Sequence, residues 1–174
     1  MTLRGRPRLI VLTGPVCAGK TTLAALLAEA LDGQTLAARA VIERASGADT
    51  RAALQSSGAE LERESDGQWL AAAAVSYGQR PLIVDAAKTE AQLKGLIELQ
   101  EATQTIYLDA SEKICRERYS QRNDPVDQGQ GFDELMQGEL AEQPGLKRLA
   151  DVVIDTGGRS PEEVGEAALA VLLP

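Results

Sequence analysis

The stretch Gly14-Pro15-Val16-Cys17-Ala18-Gly19-Lys20-Thr21-Thr22 satisfies every required position of G-x-x-x-x-G-K-[ST] and adds a second hydroxyl directly after it. An apolar run, Leu9-Ile10-Val11-Leu12, precedes it, and an Ala/Leu helical pattern from Leu23 to Leu31 follows. Strand, glycine-bearing turn and helix start, in that order, are the context that makes the pattern a phosphate-binding loop. The glycines let backbone N–H groups turn inward around a polyphosphate, and the helix N-terminus adds its own donors and partial positive charge. On this reading Gly14, Pro15, Val16, Cys17, Ala18, Gly19, Lys20, Thr21 and Thr22 cradle a nucleotide. Lys20 reaches the β- and γ-phosphates, Thr21 ligates Mg²⁺ and Thr22 bonds the α-phosphate. ATP and Mg²⁺ are therefore the expected ligands. Binding in such a loop is done by the backbone, so the Cys17 thiol is read as a small filler.

Composition narrows the remaining classes. A chain of 174 residues with 44% apolar and 25% charged residues is a soluble globular domain long enough to bury a core. Its net charge of −8 argues against a general electrostatic grip on nucleic acid. One Trp, three Tyr and one Phe are too few for stacking platforms on single strands. No run approaches the roughly 18 apolar residues of a membrane span, and no apolar signal core precedes the first strand, so the expected location is cytoplasmic. With no histidine, and with Cys17 and Cys115 far apart, a zinc site or a His-based triad is excluded. Arg4, Arg6 and Arg8 read as a solvated lead-in to the first strand.

Apolar runs alternate with helical patterns, the rhythm of a parallel sheet covered on both faces. Strands are expected at Arg8–Thr13, Gln34–Leu36, Pro81–Asp85, Thr103–Leu108 and Asp151–Asp155. Helices are expected near Lys20–Leu31, Ala38–Ala45, Thr50–Glu64, Gln68–Tyr77, Thr89–Glu101, Ser111–Arg122, Phe132–Glu142 and Pro161–Leu172. The last has a cap in Ser160, Pro161 at its first position and Glu162 and Glu163 at its positive end. Asn123–Gly131 is the richest loop signal.

Two further constellations carry chemistry. Asp85 closes the run Leu82-Ile83-Val84-Asp85, and the C-terminal end of a parallel strand faces the crevice where ligands bind. It reads as a holder of a Mg²⁺-bound water opposite Thr21, or as a cap for the next helix, and the two are compatible. Arg118 and Arg122 lie four apart on one helix face, with Arg116 nearby, either to share an anion or as solvated surface. Arg39 and Lys88 fall just past the second and third strands and read as a grip on an acceptor's phosphate. Arg51, Arg63 and Arg44 carry weaker versions of that signal.

Together these pieces resemble the nucleoside-monophosphate kinases, the adenylate-kinase-like branch of phosphate-loop enzymes. Lys88-Thr89-Glu90-Ala91-Gln92 is similar to the Arg-Thr-x-x-Gln segment with which those kinases hold the acceptor's phosphate and base. The resemblance puts Lys88 at the phosphate-binding position and Gln92 at the base-reading one. Leu36-Ala37-Ala38-Arg39 looks like the family's segment ending in a phosphate-binding arginine, and Arg118 and Arg122 resemble the arginines that open its lid. It implies an α/β fold of the P-loop NTPase type, a five-stranded parallel sheet in order 2-3-1-4-5 with helices on both faces and a short lid. The whole chain, 1–174, is then one kinase domain, with an acceptor-binding helical insertion at about 38–78 and the lid at about 118–132. Arg159, in the loop after the last strand, is placed by the donor base.

The resemblance implies transfer of the ATP γ-phosphate to a nucleoside or deoxynucleoside monophosphate. Lys20, Arg118, Arg122 and Asp85 would be the catalytic groups, and Arg39, Lys88 and Gln92 the acceptor-binding ones. The partner is a small phosphate acceptor, with the chain a monomer or homodimer. An alcohol acceptor commonly needs a carboxylate base, and past the second strand no acid occurs until Glu43. That absence favours a phosphate acceptor. Asp85 keeps open a kinase for a hydroxyl-bearing metabolite, of the dephospho-coenzyme-A type. A nucleotide-binding regulatory module is the third reading.

Overall fold

The computed structural model describes residues 8–78, 80–100, 102–122 and 131–173. Its elements run β1 (Leu9–Thr13), α1 (Lys20–Leu31), β2 (Gln34–Ala37), α2 (Ala38–Ser46), α3 (Arg51–Ser65), α4 (Trp69–Val75), β3 (Leu82–Asp85), α5 (Glu90–Leu99), β4 (Thr103–Asp109), α6 (Glu112–Gln121), α7 (Phe132–Leu140), α8 (Gln143–Leu149), β5 (Val152–Asp155) and α9 (Pro161–Leu172). The strands form one parallel sheet in the order β2-β3-β1-β4-β5, the topology the sequence implies.

Side chains alternate across a strand, so each apolar strand feeds two cores. Leu9 and Val11 of β1 face one side with Leu82, Val84 and Tyr107, where α2, α4, α5 and α8 cover them. Ile10 and Leu12 face the other side with Ile83, Ile106 and Leu108, under α1 and α9. Each fully buried aliphatic side chain contributes about 1.5–3 kcal/mol. The central position of β1 fixes where its C-terminal end, and hence the loop after it, emerges.

Local chemistry explains the helix ends. The hydroxyls of Thr89 and Ser111 accept from the N–H groups of Gln92 and Ile114, and Ser160 forms a full capping box with Glu163. Helix α1 differs. It starts after Gly19 with no side-chain cap and no acid in its first turn. Its N-terminal donors are left for something other than its own chain.

One element departs from the sequence reading. The helix expected to run from Phe132 to Glu142 stops at Leu140, and α8 begins at Gln143. Pro144 sits in the first turn of α8, where its missing N–H costs nothing. Gly145 is buried beside the Glu90 side chain, and Leu146 enters the core. The segment expected to bind acceptor holds α2, α3 and α4, while residues 123–130 of the expected lid, and Arg4 and Arg6, lie outside the described residues.

Gly67 offers a test of the packing between the α3–α4 turn and α5. Its φ is +77°, and an added Cβ would stand 2.5 Å from Ala91 Cβ and 2.9 Å from the Ala91 carbonyl carbon. Gly67→Ala is expected to lose about 2–4 kcal/mol of unfolding free energy in urea. Gly78→Ala, where nothing lies within 4 Å of the new atom, should change it by less than about 0.5 kcal/mol.

Candidate active site

The loop between β1 and α1 turns where only glycine fits. Gly14 has φ +129°, and a Cβ there would fall on the Leu108 carbonyl of β4. Gly19 has φ +102° at the entrance to α1, and Cys17 takes φ +61° between them. Thr13 Oγ1 donates to the Ala87 carbonyl at 2.8 Å, and the Ala87 N–H donates to the Leu12 carbonyl at 3.1 Å. The phosphate loop and the loop after β3 are thereby fixed to each other.

A cavity of about 760 Å³ opens over this frame. Residues 16–22 form one wall, and Arg39, Asp85, Lys88, Arg118, Arg122 and Arg159 share the rest of the lining. Gly14 and Pro15 lie beneath, where their carbonyls accept from Lys20 Nζ at 2.7 and 2.6 Å. Lys20 is thus folded back over its own loop. Its pKa is lowered from the ordinary lysine value by burial, with Glu139 opposing that shift, Lys88 adding to it and Asp85 and Cys17 opposing it.

The cavity has the features that Mg²⁺ and a polyphosphate require. Uncapped α1 donors face it from residues 19–22, and Thr21 and Asp85 bring hard oxygen donors to one lining. Among the described residues no group of three or more Cys, Asp or Glu side chains could hold a metal by itself. A site that borrows phosphate oxygens and waters needs none.

Two expected residues take other places. Gln92 is 5% exposed and lies off the cavity lining. Its Oε1 accepts from the Lys88 N–H at 2.9 Å and its Nε2 donates to Glu62 Oε2 at 2.8 Å. The base-reading position is therefore occupied by a buried amide that fixes the backbone of Lys88. Trp69 Nε1 also donates to Glu62 Oε2, at 2.9 Å, from its place in the core behind the cavity. Arg118 reaches the cavity, but its guanidinium donates to the Cys17 carbonyl at 3.2 Å and to the Thr156 hydroxyl and carbonyl at 3.1 and 2.8 Å. It ties the phosphate loop to the β5–α9 connection. Arg39 Nε donates to Glu43 Oε1 at 2.7 Å. Arg116 pairs with Glu112 and Asp133 on the exposed side of α6, and Arg63 faces Glu60 away from the cavity.

Glu139, which the sequence reading did not single out, contacts both the phosphate loop and Lys88. Its Oε2 accepts from the Val16 N–H at 2.9 Å, and its Oε1 stands 3.2 Å from Lys88 Nζ. No motif marks it. Phe132 and Met136 of α7 pack with Val16 and Cys115, and Glu139, three residues beyond Met136, shares that face.

The AAA-domain family model matches residues 9–137. The chain belongs to the AAA-domain family. Three solved structures resemble this family member over nearly its whole length. A shikimate kinase from Acinetobacter baumannii in complex with shikimate has TM-score 0.72 and 23% identity, covering 98% of this chain and 94% of that one. A gluconokinase from Sinorhizobium meliloti has TM-score 0.65 and 22% identity, covering 96% and 92%. A sugar kinase from a Janibacter species, unliganded, has TM-score 0.64 and 23% identity, covering 94% and 93%. These likenesses establish the P-loop NTPase fold of this AAA-domain protein. No curated protein matches its sequence. No helix among the described residues is long and apolar enough to cross a membrane.

Two tests follow. Removal of Arg118 breaks three charge-assisted contacts, so Arg118→Ala should lower unfolding free energy by about 1.5–3 kcal/mol and weaken binding of a fluorescent ATP analogue. Arg118→Lys, without the planar fork, should recover less than half of either. The second concerns Lys20. Its pKa is depressed in the free protein and must rise when phosphate oxygens surround it. Binding of ATP should therefore take up protons at alkaline pH, and affinity should fall as pH climbs through the lowered pKa. Calorimetry in buffers of different ionisation enthalpy reads the uptake, and Lys20→Arg, charged throughout, should abolish it. Binding enthalpies independent of buffer would contradict the assignment.

Proposed function

We propose that this protein is an ATP-dependent phosphotransferase whose acceptor is a hydroxyl of a small molecule carrying an anionic group. The observation that carries this reading is the shared cavity: the phosphate loop with Lys20 and Thr21 on one side, Arg39 and Lys88 on the other. A nucleotide switch has no use for that second cationic wall. The resemblance to nucleoside-monophosphate kinases rested in part on Gln92 as the base reader, and the engaged, buried amide of Gln92 removes that support. The structural likenesses to proteins named shikimate kinase, gluconokinase and sugar kinase favour a hydroxyl.

In this reading Lys20 leaves the Gly14 and Pro15 carbonyls for the β- and γ-phosphate oxygens and neutralises the charge that develops on the leaving ADP. Thr21, and Asp85 through a bound water, would hold Mg²⁺, which would screen the phosphate charge. Lys88 and Arg39 bind the acceptor's anionic group and hold its hydroxyl in line with the bond to be broken. Arg122 and Arg159 bound the cavity on the nucleotide side. Arg118 keeps that wall in register with the loop. The α2–α4 insertion, 38–78, carries the acceptor side of this single domain.

ADP release measured across a panel of hydroxylated carboxylic acids, sugars, sugar acids, nucleosides and nucleoside monophosphates tests the assignment. A hydroxylated anion should raise the rate at least about tenfold over water, the scale that positioning alone supplies. Stimulation by nucleoside monophosphates only would restore the monophosphate reading, and indifference to every acceptor would reduce the protein to a nucleotide binder. Asp85→Asn should raise the Mg²⁺ concentration for half-maximal rate by roughly tenfold, with nucleotide still bound.

A further inference from the structure

We propose that Glu139 is the general base that takes the proton from the acceptor hydroxyl. The inference rests on the hydroxyl-acceptor reading and supplies the group that reading lacks.

Transfer to an alcohol calls for a carboxylate within hydrogen-bond reach of the attacking oxygen. The turn from β2 into α2 provides only Ala37, Ala38 and Arg39. The next acid, Glu43, is a turn further along α2 and holds Arg39 at 2.7 Å. Asp85 lies on the lining shared with Thr21, where the cation belongs. Glu139 arrives from α7. Its two oxygens span the two walls, one on the Val16 N–H and the other beside Lys88 Nζ. Val16, the third residue of the loop, and Lys88 both line the cavity, and Glu139, just behind that lining, bridges them where the loop and the cationic wall adjoin. Its side chain is 14% exposed, yet each oxygen has one donor and retains lone-pair capacity for a proton. Among the charges around Lys20, Glu139 acts on it most strongly, ahead of Asp85.

The step balances without another reactant. The acceptor O–H proton passes to a Glu139 oxygen as the acceptor oxygen bonds to the γ-phosphorus. The bond from that phosphorus to the β–γ bridging oxygen breaks, and its electron pair leaves on ADP. Lys88, beside the carboxylate, screens the phosphoryl oxygens during the step. The titratable groups around it are Lys20 at the start of α1, Lys88 after β3, Tyr107 on β4 and Cys115 on α6, with Asp85 at the end of β3 and Cys17 in the loop beside Lys20.

Hydrolysis of Mg·ATP with water as the acceptor is the probe, since water needs the same base and no acceptor has to be known. Glu139→Gln keeps an oxygen for the Val16 N–H but cannot take a proton. It should lose at least about 100-fold in kcat, hold its KM for ATP within roughly threefold, and lose the acid limb of the pH–rate profile. Asp85→Asn should keep that limb. Glu139→Ala hydrolysis should be restored by added formate, which a merely structural role does not predict, and this arm stands even if the Gln variant is less stable. Wild-type kcat in Glu139→Gln, a retained acid limb, or no formate rescue would each overturn the proposal. Failure of the hydroxyl reading itself is seen separately, as turnover of nucleoside monophosphates by the wild-type protein.

Discussion

The close approach of Gly14 to the Leu108 carbonyl is the constraint on which the site depends. It presses the turn after β1 against β4, in the middle of the sheet, and no side chain is compatible with that distance. The loop then has one course to α1. Gly19 and Cys17 take left-handed conformations along it, and α1 begins with bare N–H groups. Burial of β1 from both faces supplies the rigidity: Leu9 and Val11 lock one side and Ile10 and Leu12 the other. A cradle for phosphate is a backbone device, and the core exists in the form that holds this backbone still.

Around that cradle the protein arranges charge against its own average. The chain carries −8, yet Lys20, Arg39, Lys88, Arg118, Arg122 and Arg159 converge on one cavity. Such a concentration of cations costs self-repulsion unless an anionic ligand or built-in carboxylates offset it. Asp85 and Glu139 offset part of it in the free protein. The interactions form a continuous series: Trp69 and Gln92 hold Glu62, Gln92 holds the backbone of Lys88, and Lys88 faces Glu139, which holds Val16. The acceptor side and the nucleotide side are therefore mechanically joined. Gln92, Glu62 and Trp69 stand one layer behind the cavity wall.

Much of the fold was legible from residues alone because its signals are local. The apolar run of β1, the glycine spacing of the loop and the Ser160-Pro161 start of α9 each predict an element whose bounds the structure reproduces closely. Strand order followed from a family resemblance rather than from periodicity. What was not legible depends on long-range contacts. The short helix α8 was not read: Pro144 occupies its first turn, and its buried face is fixed by Leu146 entering the core. Lys20, Asp85, Arg39 and Lys88, read from the sequence in or beside strand ends, share one cavity lining. Glu139 is 123 positions from Val16, on a helix face defined by packing, and nothing in its neighbourhood announces it. Gln92 was assigned by resemblance to the cavity, and its burial among partners places it behind.

The central claim is that this cavity sets a nucleotide's terminal phosphate between Lys20 and a second, cationic wall. A crystal structure of the protein with Mg²⁺ and a non-hydrolysable ATP analogue tests it most directly. The account predicts the γ-phosphate within about 3 Å of Lys20 Nζ, the Gly14 and Pro15 carbonyls released, and Lys88 and Arg39 facing the phosphate across the open acceptor space. An analogue whose phosphates lie outside residues 16–22, or with Lys88 and Arg39 turned out of the cavity, would contradict it.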